Sequence, residues 1–248
     1  MTRPVIEQVW IGDPAPGALV FLHEGLGSIA QWRDTPAAIS AATGLPALVY
    51  SRQGYGQSSP IAVPRPLTYM HDEAARIPHV GDPILVGHSD GASIAIIAAC
   101  EGHVKPRALV LIAPHVFVED ISVASIAAAR DAYEHGDLRA RLAKYHADVD
   151  GAFWGWNRAW LDPEFRRWNL EQYLPRITVP TLIIQGRADQ YGTPAQVEAI
   201  ERQLGGPHET LIVDGAGHSP FRDQPALVHE RISDFVRRQG PSGSRGRT

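Results

Sequence analysis

PILVGHSDGASIAIIAACE, residues 83–101, is the stretch whose reading decides the fold. Ile84, Leu85 and Val86 form a short apolar run of the kind that fills a strand buried on both faces. Residues 92–100 are almost all small or apolar and predict a buried helix. Between them stands Gly87-His88-Ser89-Asp90-Gly91, a G-x-S-x-G pattern. A strand that turns straight into a helix strains its central residue, and side chains two positions to either side would strike neighbouring elements. Glycine at both places removes that collision. The turn then presents Ser89 Oγ at its tip, with a helix N-terminus behind it that favours developing negative charge. A glycine-rich turn whose serine only caps a helix would carry the same letters. The flanking strand and helix, together with the partners found downstream, select Ser89 as a nucleophile.

Outward from this stretch, apolar strands and helical segments alternate. Strands are expected at residues 5–11 (an edge strand), 18–22, 47–50, 108–112, 181–184 and 210–213. Helices are expected at 29–42, with Ser28 as N-cap, at 68–77 and at 225–238. Apolar strands without polar alternation predict an α/β fold with a mostly parallel, doubly wound sheet covered on both faces. The rhythm breaks over residues 115–176. No strand is expected there; helices at 121–133 and 137–149 precede the aromatic run Phe153-Trp154-Gly155-Trp156-Asn157-Arg158-Ala159-Trp160. Four of the six tryptophans lie in this interval, more than the core of one small lobe requires. An aromatic roof over a pocket accounts for the rest and nominates Trp154, Trp156 and Trp160 as substrate-binding. The organisation expected is a core of residues 1–114 and 177–239, a helical insert at 115–176, and a mobile Gly/Ser/Arg-rich tail at 240–248.

Composition narrows the function classes. With 44% hydrophobic and 20% charged residues, the 248-residue chain is expected to be globular and to hold a sizeable core. A net charge of −4 without a long basic run argues against nucleic acid or an anionic membrane surface as partner. No apolar run approaches the roughly twenty residues of a membrane span, and residues 1–12 lack the pattern of a signal peptide. The single cysteine, Cys100, reads as packing within the buried helix. A cytoplasmic location is expected, and the oligomeric state is left open.

A serine hydroxyl needs a base to take its proton and a group to orient that base. Of 11 histidines, His218 stands in Asp214-Gly215-Ala216-Gly217-His218-Ser219-Pro220, after the last strand and before the last helix. Such a loop lies at the carboxyl edge of a parallel sheet, where Ser89 also lies and where ligands bind. His135, His146 and His208 read instead as surface histidines. For the orienting acid, Asp189 in Gly186-Arg187-Ala188-Asp189 sits just past the preceding strand at the same edge. Asp214 and Asp223 compete; the first reads as a turn residue and the second as an N-cap. The order Ser89, Asp189, His218 is the one expected for this architecture. No histidine, cysteine or carboxylate cluster has metal-ligand spacing, since H-E-G-L-G lacks the second histidine of H-E-x-x-H, and no cofactor or metal is expected.

These three motifs, in this order, resemble those of the α/β-hydrolase fold superfamily, and the resemblance covers nearly the whole chain. By that resemblance the 115–176 insert is a helical cap, and His23-Glu24-Gly25-Leu26-Gly27-Ser28 is the oxyanion loop. The loop departs from the family pattern at Glu24, where glycine is common. The backbone N–H groups of Gly25 and Asp90 would hold the oxyanion, a one-residue shift nominating Leu26 or Glu24 instead. Glu24 is either a solvated or paired loop carboxylate or a substrate-facing charge. His23 reads as a loop anchor, and His88 as a residue that fixes the sharp Gly87–Gly91 turn, the elbow that carries Ser89. Ser51-Arg52-Gln53-Gly54-Tyr55-Gly56-Gln57-Ser58 resembles a structural turn of the family without its Asp and Arg at the usual places. The activity implied is hydrolysis of a carboxylic ester or similar acyl bond in a small, partly apolar or aromatic substrate, without a cofactor. C–C bond hydrolysis of a diketone-type substrate uses the same triad. A non-catalytic small-molecule receptor on the same scaffold is the reading from another class. Epoxide and haloalkane hydrolases of the family place Asp at the nucleophile position, which here is Ser89.

Overall fold

Strands with no polar face are satisfied only inside a covered sheet. The computed structural model, which describes residues 4–240, places them there. β1 (Gln8–Ile11), β2 (Leu19–Leu22), β3 (Ala47–Tyr50), β4 (Ile84–His88), β5 (Ala108–Ile112), β6 (Thr181–Gly186) and β7 (His208–Val213) form one sheet. Its order is β1-β3-β2-β4-β5-β6-β7. Edge strand β1 runs antiparallel to β3, and every other pairing is parallel. β4 is central, with Leu85 opposite both Val20 and Leu109.

Alternate strand residues point to opposite faces, so the sheet carries two cores. Val20, Leu22, Leu85, Leu109 and Leu111 pack on one face. Leu19, Phe21, Ile84, Val86 and Val110 pack on the other. The helices are α1 (Thr35–Thr43), α2 (Tyr69–Ala74), α3 (Asp90–Glu101), α4 (Asp120–Glu134), α5 (Leu138–Leu142), α6 (Val149–Trp160), α7 (Pro194–Gln203), α8 (Pro220–Asp223) and α9 (Pro225–Arg238). Buried residues of α2, α3 and α7 join the first core, and those of α1 and α9 the second. In α9 the stripe is Val228, Ile232, Phe235 and Val236, spaced for one helical face. Full burial of each such side chain contributes about 1.5–3 kcal/mol.

The expected helix at 29–42 is two elements. A 3-10 turn at Ile29–Trp32 stops where Arg33 takes φ +53°, and α1 then begins at Thr35. Pro36 explains the break: inside one continuous helix it would remove a hydrogen bond and clash with the preceding turn, whereas the first turn accepts it. The break lets Trp32 turn inward against Phe21 and Phe221. Ser28 makes no side-chain cap bond to this turn. β1 is shorter than expected, and β7 begins two residues earlier. Between β5 and β6 lie α4 to α6 and two 3-10 turns, at Pro163–Arg167 and Glu171–Arg176. The helix expected at 137–149 ends at Leu142, because the chain beyond it delivers His146 inward. Among the described residues, the only strand pairing in the insert is the single Phe117–Asn169 bridge. No described helix is long and apolar enough to cross a membrane. Residues 241–248 of the expected tail lie outside the described residues.

Candidate active site

β4 ends in the turn that its glycines permit. Ser89 has φ +53° and ψ −120°, a backbone region that costs about 1–3 kcal/mol for a residue with a side chain. A Cβ on Gly87 would stand 2.6 Å from the Ala92 Cα, and one on Gly91 would strike the Leu22 and His23 carbonyl oxygens. The neighbours are therefore strand and helix backbone, which cannot step aside. Ser89 is anchored by its amide on the Ile112 carbonyl, 2.9 Å. Its side chain opens on a cavity of about 190 Å³ lined by Glu24, Gly25, Leu26, His88, Trp156, Gln190, Tyr191, His218 and Ser219. A larger groove of about 620 Å³ beside β1, β3 and α2 holds none of the candidate site residues.

His218 and Asp189 meet at this cavity from the loops after β7 and β6. His218 Nδ1–H donates to the Asp189 carboxylate, 2.9 Å from each oxygen. That bond fixes the tautomer and leaves Nε2 as an acceptor. The carboxylate also accepts from the Tyr191 amide at 2.8 Å and from Gln185 Nε2 at 2.9 Å. Burial pushes the Asp189 carboxyl up, but the hydrogen bond and charge of His218, with the Tyr191 amide, hold it below the usual carboxylate range. No hydrogen bond joins Ser89 Oγ to His218 in this arrangement; such bonds commonly close only around a reacting group. Asp214 pairs with Arg187 at the surface. Asp223, expected as an N-cap, ends α8 and accepts the Gly217 amide at 2.9 Å, steadying the histidine loop.

The loop after β2 is held from below. His23 Nδ1–H donates to the Glu24 carbonyl at 2.7 Å, and its Nε2 accepts from the Arg52 amide at 3.0 Å. Arg52 in turn donates to the Glu24 carbonyl at 2.8 Å. Glu24 lines the cavity, with both its carboxylate oxygens partnered. One carboxylate oxygen lies 3.3 Å from His88 Nδ1 and the other 3.1 Å from Arg222. Burial raises this carboxyl, but His88 and then Arg222 outweigh it and hold Glu24 ionised. The same carboxylate fills the space a Cβ on Gly27 would need. His88 also donates from Nε2 to the His218 carbonyl at 2.7 Å, so it ties the elbow to the histidine loop. Among the described residues, neither the Gly25 nor the Asp90 amide donates to a protein acceptor. The Asp90 side chain points away from the cavity, accepting from Tyr69 at 2.6 Å and Trp160 Nε1 at 3.2 Å, with Arg52 at 3.9 Å.

The three insert tryptophans part company here. Trp156 lines the cavity. Trp160 does not: it is buried, with its indole N–H on Tyr69 Oη and Asp90. Trp154 lies against Tyr133 and under Arg158, also away from the cavity. Trp154 and Trp160, expected to contact substrate, therefore do not line this cavity: Trp154 projects from another side of α6, and Trp160 lies one turn beyond Trp156, against Tyr69 and Asp90.

Four residues act on the site that motif reading passes over. His146, expected at the surface, is buried; its Nδ1 accepts from the Gly56 amide at 3.0 Å and its Nε2 donates to the Leu26 carbonyl at 3.1 Å. Nothing in its neighbourhood of the chain signals this. His115 Nε2 donates to the Tyr191 carbonyl at 3.1 Å. Gln185 supports Asp189, and Arg222 supports Glu24. Gln185 and His115 did carry a signal, as polar residues at the carboxyl ends of apolar strands. The insert also grips the acid loop, through Ser122 on the Tyr191 carbonyl (2.5 Å) and Ser125 on the Gln190 carbonyl (2.6 Å).

Solved structures share this architecture. An esterase from Exiguobacterium antarcticum superposes with a TM-score of 0.70 at 19% identity, over 94% of this chain and 95% of that one. A thermophilic esterase from Thermogutta terrifontis gives 0.68 at 19%, over 96% and 94%. A meta-cleavage product hydrolase from Pseudomonas fluorescens IP01 gives 0.71 at 16%, over 96% of each chain. At such identities the likeness is one of fold. The sequence model of the alpha/beta hydrolase family matches residues 19–231. With the strained serine turn at the centre of its sheet, this chain belongs to the alpha/beta hydrolase family.

Proposed function

We propose that the protein is a cofactor-independent serine hydrolase that cleaves a carboxylic ester or similar acyl bond of a small, partly apolar or aromatic substrate. The observation that carries the reading is the Asp189–His218 pair, with its tautomer set, at the cavity where Ser89 stands on its strained turn. Ser89 Oγ attacks the carbonyl carbon while His218 Nε2 takes its proton. The same proton passes to the leaving group as the tetrahedral intermediate collapses, and water then releases the acyl group by the reverse sequence. Asp189 orients the imidazole and stabilises its charged form. The Gly25 and Asp90 amides, both without protein acceptors, hold the oxyanion. Residues 115–176 act as the cap, with Trp156 as its contribution to the pocket. At about 190 Å³ the cavity lies below the usual range of roughly 300–1,000 Å³ for ligand pockets, which favours a short or single-ring acyl group.

The test is covalent labelling with a serine-directed phosphonate, followed by turnover of a p-nitrophenyl ester series of increasing acyl length. Labelling at Ser89 and activity falling with acyl length are expected, both lost in Ser89→Ala. Full activity in that variant would refute the mechanism. Labelling without turnover of any ester would move the reading to C–C bond hydrolysis, and no labelling at all to a receptor.

A further inference from the structure

On the inward face of α6, Phe153, Trp156 and Trp160 follow one another at helical spacing, all buried. The outer two are fixed. Phe153 stacks on Tyr133 with ring centroids 3.7 Å apart, and Trp160 is hydrogen-bonded to Tyr69 and Asp90. Trp156 is held between them, edge-on to Phe153. Its indole lies directly over the backbone of Gly25. A Cβ on that glycine would overlap Trp156 Nε1 and Cδ1 and stand 3.0 Å from Cε2. Glycine at position 25 is therefore what lets the indole N–H come down to the loop that carries the first oxyanion amide.

An indole N–H is a donor with no acceptor capacity. Among the described residues, that of Trp160 is satisfied within the protein, and those of Trp32 and Trp168 are sealed in without a partner. That of Trp156 has no protein acceptor either, but its residue forms part of the wall of the Ser89 cavity. The nearby carboxylates are engaged elsewhere, Glu24 with Arg222 and His88, and Asp90 with Tyr69, Trp160 and Arg52. The Gly25 amide and the Trp156 indole are then donors without a protein acceptor among the described residues on the cavity wall, and the equally unpaired Asp90 amide directly follows Ser89. Unpaired donors beside a nucleophile fit an oxygen that gains negative charge.

We propose that the Trp156 indole N–H, lying over Gly25 in the Ser89 cavity, is a third donor to the substrate carbonyl oxygen. The inference rests on the acyl-transfer reading above. In the attack step Ser89 Oγ forms a bond to the carbonyl carbon and the carbonyl π pair moves onto oxygen. The serine proton goes to His218, and the new oxyanion accepts from Gly25, Asp90 and Trp156 together. On collapse the pair returns to carbon as the leaving-group bond breaks, and the Trp156 bond weakens again. The group is thus used most in the transition state, which raises kcat more than it lowers KM.

Trp156→Phe keeps the ring and removes the donor. Loss of a single oxyanion donor costs about 10²- to 10³-fold in kcat, and a donor shared three ways is expected to cost about 10- to 100-fold. KM should change little. The diagnostic comparison pairs an ester with its thionoester, because sulfur is the poorer acceptor. The wild type should prefer the oxygen ester strongly, and Trp156→Phe should narrow that preference. Unchanged kcat and an unchanged preference in a folded, phosphonate-labelled Trp156→Phe would overturn the proposal while leaving the hydrolase reading intact. Absence of Ser89-dependent turnover in the wild type would overturn both. If the variant does not fold, ¹⁵N-indole NMR of the wild type decides: one tryptophan N–H resonance should move downfield on phosphonylation of Ser89. No indole shift would overturn the proposal.

Discussion

Replacing Trp160 by Phe tests how the insert is joined to the nucleophile turn. The variant keeps a ring against Phe165 and His115 but deletes the N–H that reaches Tyr69 Oη at 3.0 Å and Asp90 at 3.2 Å. A buried hydrogen bond to a charged group is worth about 1.5–3 kcal/mol. The lost ring volume, roughly 40 Å³, adds about 1 kcal/mol if the site does not collapse. Asp90 keeps Tyr69 and Arg52, so no uncompensated charge is created. The sum is about 3 kcal/mol, which for a chain of this length lowers Tm by about 6–12 °C. Thermal and urea melts measure it, and a Trp160→Phe/Tyr69→Phe double-mutant cycle gives the coupling between the two rings, direct and through Asp90 together. A Tm within about 2 °C of wild type, or additivity within about 0.5 kcal/mol, would refute the reasoning. Acyl-length preference should stay unchanged, since the ring does not line the cavity.

Asp189→Asn should lower kcat by about 10⁴-fold, less than His218→Ala at about 10⁶-fold, and a larger loss in Asp214→Asn would reassign the acid. Gly91→Ala should destabilise by about 3 kcal/mol, because its methyl meets the Leu22 and His23 carbonyls; an unchanged Tm would contradict the elbow geometry. Glu24→Gln should cost about 2 kcal/mol at neutral pH and slow all substrates alike, because the carboxylate is turned onto Arg222 and His88. The Glu24 carboxyl is depressed in the folded chain, so its contribution is full above about pH 4.3 and fades below it; a gap between wild type and variant that persists in acid would count against this. Opposite effects on cationic and anionic esters would show that Glu24 faces substrate after all. Burial holds His23, His115 and His146 below the ordinary histidine range. The folded chain thus binds fewer protons than the unfolded one, and Tm should fall as pH drops below about 6.5; a flat Tm from about pH 7 to about pH 5 would exclude it.

The sheet was legible because its strands are apolar on both faces, and Ser89, Asp189 and His218 because each follows a strand at one edge. The aromatic run showed that the insert bears on the pocket but not which ring does so: helical phase turned Trp154 to another side of α6, while Trp160 shares the face of Trp156 one turn on and meets Tyr69 and Asp90 instead of the cavity. Pro36 was a legible break that the apolar spacing of residues 29–42 masked. His146 had no local mark at all, since its partners, Gly56 and Leu26, are ninety or more residues away and are met only in three dimensions. Glu24 reads as an open charge in one dimension; Arg222, which closes it, arrives from the far end of the chain.

His146 on the loop after β2, Ser122 and Ser125 on the acid loop, and Trp160 on the elbow fasten the insert at three separate points. Swinging it as a hinged lid would break all of these bonds at once. The same stitching bears on exchange of parts between relatives. A foreign insert grafted between β5 and β6 would arrive without these bonds and leave the loops after β2 and β6 and the Ser89 turn unfastened. Among the described residues Trp156 is the one on α6 that lines the cavity, so that position can be varied with the insert and its bonds left in place.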